Sequence, residues 1–147
     1  MLTLDANVRV YAADTRDPLK HRAAIEIIAL AVNARSKLGL QAIGEFFVVC
    51  TRKLRFPPTM IDRRVQDLLA TFETFSYTRT GLAQAAALAA GRYFFWDAVL
   101  IASAEEAGCT VMLSEDMGDG ARFGNLMVIN PFGPDGMSQR AKEALAL

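Results

Sequence analysis

The chain has 147 residues, 52% of them hydrophobic and 22% charged, values of one compact domain with a sizeable core rather than a disordered chain. Its 16 basic residues are balanced by 16 acidic ones, and the formal net charge of zero excludes a global basic field of the kind that gathers nucleic acid. Any polyanion must therefore meet a local basic patch, helped by bound cations. The basic residues are 12 arginines and 4 lysines, a bias that suits bidentate phosphate contacts and carries little weight alone. Cys50 and Cys109 form no CxxC pair and stand among apolar residues, which reads as two buried thiols in a reducing compartment. The N-terminus lacks a basic start and long apolar stretch, and no run approaches the ~20 apolar residues of a membrane span. A soluble cytoplasmic protein is the expectation.

In chain order, Leu2–Asp5 reads as a short buried strand, followed by a helical turn from Asn7 to about Ala13. Asp14 to Pro18 is a loop by composition. From His21 to Ala34 the apolar residues Ala24, Ile25, Ile28, Ala31 and Val32 recur at helical spacing. Leu38–Leu40 is a second strand, and Gln41 to about Lys53 a helix. Pro58 or Thr59 starts the next helix, with Ile61, Val65, Leu68 and Leu69 as its inner face. Phe72–Ser76 is a third strand. Thr80 is placed to cap the Ala-rich helix Gly81–Ala90. Phe95 to Ala107 is the next helix, and Cys109–Leu113 and Leu126–Ile129 are strands four and five. From Asn130 the stretch Asn-Pro-Phe-Gly-Pro-Asp-Gly leaves the core, and Ser138–Leu147 forms a short terminal helix. Strands alternating with helices predict a parallel sheet with helices on both faces. No internal repeat or linker interrupts the pattern.

Four acidic residues stand where apolar elements should carry no charge. Asp5 closes Met1-Leu2-Thr3-Leu4, Glu45 interrupts an apolar helix, Asp97 lies within Phe94–Ile101, and Asp116 follows strand four. Carboxylates in such positions are rarely buried unless paired or bound to metal. In open parallel sheets, ligands bind beyond the carboxyl ends of the strands, where strand order reverses. If strands one and four are neighbours, Asp5 and Asp116 share that crevice, and Asp97 and Glu45 open on the same edge. Each also has a plainer reading. Asp5 and Asp97 suit helix caps, Glu45 suits a solvent-facing helix position, and Asp116 suits a turn.

The order and context of these acids resemble the PIN-domain family and, within it, the VapC-type toxin ribonucleases. The matching stretches are Leu4-Asp5-Ala6-Asn7-Val8, Leu40–Phe46, Trp96-Asp97-Ala98 with Ala102 and Ala104, and Leu113–Gly120, joined by Val128–Phe132. The resemblance covers about residues 1–132, taken as the nuclease domain, with 133–147 as a tail. It implies a three-layer α/β/α fold with a central parallel sheet of about five strands. It also implies that Asp5, Glu45, Asp97 and Asp116 are the catalytic, metal-holding quartet, supported by Asn7, Ser114 and, as an optional acid, Asp119. Ala6 departs from the family pattern, in which Thr or Ser is common.

An all-oxygen site without a His or Cys cluster suits Mg²⁺ or Mn²⁺. The implied activity is metal-dependent hydrolysis of RNA. Arg9, Arg52, Lys53, Arg55 and Arg92 are candidates to grip phosphates, and Trp96 is expected in the core. His21, the only histidine, stands away from the motifs. The resemblance further implies a homodimer neutralised by a small antitoxin. Two other readings stay open: a non-catalytic interaction domain on the same fold, and an α/β phosphohydrolase with Asp5 as nucleophile. The second lacks an acid two residues on, where Asn7 stands, and no P-loop or GxGxxG motif is present.

Overall fold

The computed structural model describes residues 1–146. Its sheet contains β1 (Leu2–Leu4), β2 (Lys37–Gly39), β3 (Glu73–Phe75), β4 (Val111–Leu113), β5 (Arg122–Phe123) and β6 (Leu126–Ile129). Strand order is β3-β2-β1-β4-β6-β5, parallel throughout except for the antiparallel edge strand β5. The expected five strands are therefore six. The additional strand is one arm of a hairpin turning at Gly124, whose φ of 56° is the left-handed conformation such a tight turn requires.

Period-two alternation divides the strands between two cores. Leu2, Leu4, Leu38, Leu113 and Ile129 face one side with Met137, Ala141 and Leu145. Met112, Leu126 and Val128 face the other, beneath Leu100, Ile101 and Ala104. The first side is covered by α1 (Ala6–Ala13) and α2 (Pro18–Asn33), with α3 (Leu40–Arg52) and α4 (Pro58–Thr71) extending that layer. The second is covered by α6 (Phe95–Glu106), with α5 (Arg79–Ala89) packed against it. In α6, every residue from Ala98 to Ala104 is buried, as expected of a helix held between a sheet and another helix.

Three local expectations are corrected. The cap of α5 is Thr78, two residues before Thr80; its hydroxyl accepts from Gly81 N at 3.0 Å and donates to Glu106 at 2.6 Å. Leu69 is 42% exposed, because α4 turns Met60, Ile61, Val65 and Leu68 inward and Leu69 away from them. The segment after Asn130 returns to the core. A hairpin of β7 (Phe132–Gly133) and β8 (Gly136–Met137) leads to α7 (Gln139–Leu145), whose Ala141 and Leu145 are buried with Met137 beside α2. Cys50 and Cys109 are buried and unbonded, as expected.

Candidate metal centre and nucleic-acid cleft

Strands β2 and β3 extend the sheet to one side of β1, while β4 and β6 extend it to the other. The reversal falls between β1 and β4, and Asp5 and Asp116 follow the carboxyl ends of those two strands. Register pairs Leu4 with Leu113, and Asp5 N continues the ladder by donating to Leu113 O at 3.0 Å.

Asp5 is also the N-cap of α1. One carboxylate oxygen accepts from Ala6 N at 2.6 Å; the other accepts from Ser114 Oγ at 2.8 Å and Asn7 Nδ2 at 3.3 Å. The same Asn7 amide donates to Asp116 at 3.2 Å, and Asp116 N donates to Ser114 Oγ at 3.3 Å. Asn7 and Ser114 thus join the carboxylates of two strand ends. Glu45, on α3, accepts from Gln41 one turn earlier at 3.1 Å. Asp97 lies in the first turn of α6, where the helix dipole favours a negative charge.

Asp5, Glu45, Asp97 and Asp116 all line one cleft of about 570 Å³. Its other acids differ, because Glu115 is paired with Lys20 and Asp14 with Arg16. Burial raises the Asp5 carboxyl above its ordinary value, against the lowering effect of the Ser114 and Ala6 hydrogen bonds and the Arg9 charge; Asp116 adds to the rise. Burial also raises Glu45, with the charges of Asp5 and Asp97 adding to it. Asp97 is raised by burial and then by Asp5 and Asp116. Mutual repulsion of this kind is relieved by a cation. The donors are all hard oxygens, which fits Mg²⁺ or Mn²⁺. Among the described residues, however, no three His, Cys, Asp or Glu side chains are drawn together as a ready-made ligand cluster; the four acids border the cleft rather than converge.

Other expected contacts fall differently. Arg9 is 2% exposed, so it faces no substrate; burial pushes its guanidinium down to about 10, opposed by the charges of Asp5 and Glu45. Among the described residues none of its guanidinium nitrogens has a hydrogen-bond partner. Lys53 is exposed and lines the cleft; Arg52 and Arg55 are exposed outside its lining. Arg92 is exposed in an adjoining cavity that shares Asp97 and Asp116. Asp119 turns toward the C-terminal segment, accepting from Asn130 N at 2.8 Å and from Arg140 at 3.0 Å. His21 is half-buried, its Nδ1 3.0 Å from the Tyr11 carbonyl. Trp96, expected inside, is 53% exposed, because the first turn of α6 projects beyond the packed part of the helix.

Gln41 was not among the expected site residues. Besides holding Glu45, it donates to the Trp96 carbonyl at 2.6 Å. Its i,i+4 spacing to Glu45 was the available signal.

Residues 2–118 match the PIN domain family, and the chain belongs to that family. Solved structures share the fold. VapC20 of Mycobacterium tuberculosis, described as a sarcin-ricin loop cleaving toxin, superposes with a TM-score of 0.63 at 14% identity, over 79% of this chain and 92% of that one. A toxin–antitoxin complex from Klebsiella pneumoniae gives 0.63 at 18%, over 90% and 98%. FitAcB from Neisseria gonorrhoeae gives 0.66 at 16%, over 89% and 98%. A comparison with curated proteins finds no match. Among the described residues no helix is long and apolar enough to cross a membrane.

Proposed function

We propose that this chain is a metal-dependent endoribonuclease of the toxin type, restrained by a small antitoxin and acting as a homodimer. The observation that carries the reading is the set of four acids, none in an ion pair among the described residues, bordering the crevice where strand order reverses. Asp5, Glu45, Asp97 and Asp116 would hold Mg²⁺ or Mn²⁺. When bound, such an ion supplies charge neutralisation at the phosphate and an acidified water as nucleophile.

The chain's own residues prepare the site for that ion. Ser114 and Asn7 orient Asp5 and Asp116, and Gln41 orients Glu45. Arg9 lies beneath, where its charge acts on Asp5 and Glu45 without occupying the cleft. Lys53 at the rim offers a cation to a phosphate. The family membership and the likeness to toxin folds support this assignment, and the Klebsiella complex supports an antitoxin partner.

The spread of the four acids favours one second reading, a non-catalytic interaction domain. RNA cleavage by the purified protein with Mn²⁺, with EDTA and with Asp97→Asn tests the proposal. Cleavage with Mn²⁺ alone is expected; equal cleavage in all three identifies a contaminant and removes the nuclease reading. Calorimetric Mn²⁺ titration separates the two readings, since an interaction domain shows no binding at millimolar metal.

A further inference from the structure

Phe94, Phe95 and Trp96 form a solvent-facing aromatic run that leads directly into Asp97. Phe94 is 83% exposed, and Trp96 is the only tryptophan of the chain. Three adjacent exposed aromatics are an apolar patch of the sort that marks a contact surface. The ring contacts of this run centre on Trp96, while the Phe94 ring stands free in solvent. Phe95 and Trp96 meet edge to face at 5.1 Å, and Tyr77, from the loop between β3 and α5, approaches Trp96 at 6.4 Å.

Two further features tie this patch to the acidic cleft. Gln41 bonds both Glu45 and the Trp96 carbonyl, so one side chain positions an acid and the aromatic turn together. Arg92 lies over the Tyr93 ring at 5.4 Å, and Arg92 and Phe94 line the same cavity. The cavity of about 570 Å³ lined by Arg92, Tyr93 and Phe94 is lined also by Asp97 and Asp116.

We propose that Phe94 and Trp96 are a stacking platform for unpaired bases of single-stranded RNA, with Arg92 beside it for a neighbouring phosphate. This deepens the nuclease reading and rests on it for the identity of the polymer. Every base has a π-face, so aromatic stacking tolerates sequence, whereas a duplex keeps its bases stacked inside and cannot use such a surface. A second copy of the chain or an apolar protein helix would also cover aromatics. Continuity with Asp97 and the adjoining arginine favour the nucleic acid, which needs a base surface and a phosphate contact side by side.

Trp96 emission reports on the platform without a label. The full chain is titrated with a uridine octanucleotide in EDTA, and again in Ca²⁺, which offsets the carboxylate charge. Saturable quenching is expected from the single strand, with none from a duplex of equal length or from polyphosphate. Phe94→Ala, at an exposed position that leaves the core intact, should weaken binding by about fivefold or more. Absence of quenching in both conditions, or unchanged affinity in Phe94→Ala, overturns the platform. An emission shift that follows protein concentration alone overturns it in favour of a second copy. Mn²⁺-dependent cleavage without quenching removes the platform and keeps the nuclease. Quenching without cleavage removes the nuclease and keeps the RNA contact.

Discussion

Ser114 donates its hydroxyl to Asp5 at 2.8 Å, joining the ends of two neighbouring parallel strands that lie 109 residues apart in the chain. Ser114 is fully buried, and among the described residues the only other side chain bonded to Asp5 is Asn7. Ser114→Ala should destabilise the fold by about 1.5–3 kcal/mol, the range for a hydrogen bond to a charged group. Urea denaturation at pH 7 measures this, and no change in midpoint would show the bond to be dispensable.

The raised carboxyls set a pH dependence with a definite sign. Asp5, Glu45 and Asp97 are held above their ordinary values of 3.8, 4.5 and 3.8. The folded state therefore binds their protons more tightly than the unfolded state does. Their unfavourable contribution is absent below the ordinary values and grows as pH rises through the folded ones. In EDTA, Glu45→Gln should flatten the fall in melting temperature between pH 4.5 and 7. A parallel profile for wild type and variant would contradict it.

Arg9→Met acts in the opposite direction. Removing the buried cation withdraws a charge that lowers both Asp5 and Glu45. The fall in stability between pH 5 and pH 7 should therefore be steeper in the variant than in the wild type. Comparing denaturation at the two pH values isolates this effect from any change in packing.

Mn²⁺ at about a hundredfold over its dissociation constant should add about 2.7 kcal/mol to folding stability at pH 7. Asp97→Asn should lose most of that increment, while Asp119→Ala should keep it, since Asp119 is engaged by Asn130 and Arg140. Thermal melts with and without metal give the comparison. Loss of the increment in Asp119→Ala would return that residue to the metal site.

Burial pushes the Cys50 thiol up to about 11 and raises Cys109 as well. Both are buried, so iodoacetamide at pH 8 should leave them unmodified until the chain is unfolded in urea. Mass spectrometry counts the adducts, and fast labelling of the folded protein would place a thiol at the surface.

The acids were legible because each violates a local rule. Asp5 and Asp116 end apolar strands and Asp97 opens an apolar helix, which marks them out, but each alone also suits a cap or a turn; what the structure adds is that they line one cleft with Glu45. Arg9 and Trp96 were not legible, because their surroundings are supplied by other elements. Arg9 lies one turn after Asp5 on a short helix, and its surroundings come from α2, α3 and α4, distant in the chain. Trp96 sits in an apolar run that looks buried throughout, but the covered stretch of α6 begins at Ala98. Strand β5 is two residues long and escaped notice, although Gly124-Asn125 between Phe123 and Leu126 is a hairpin signal. The tail was misjudged for the same reason as Trp96. Met137, Ala141 and Leu145 are spaced to fill a gap that exists only once α2 is in place.

The pairing of β1 with β4 also bears on when the cleft exists during synthesis. Leu2 to Leu4 have no neighbour on that side until Val111 to Leu113 are in place. Contacts of such long sequence separation form only after most of the chain is available. A nascent or truncated polypeptide lacking residues beyond 110 has Asp5, Glu45 and Asp97 but neither the strand that positions Asp5 nor Asp116. The crevice is therefore a product of a long-range pairing, assembled only once residues 111–116 lie beside β1.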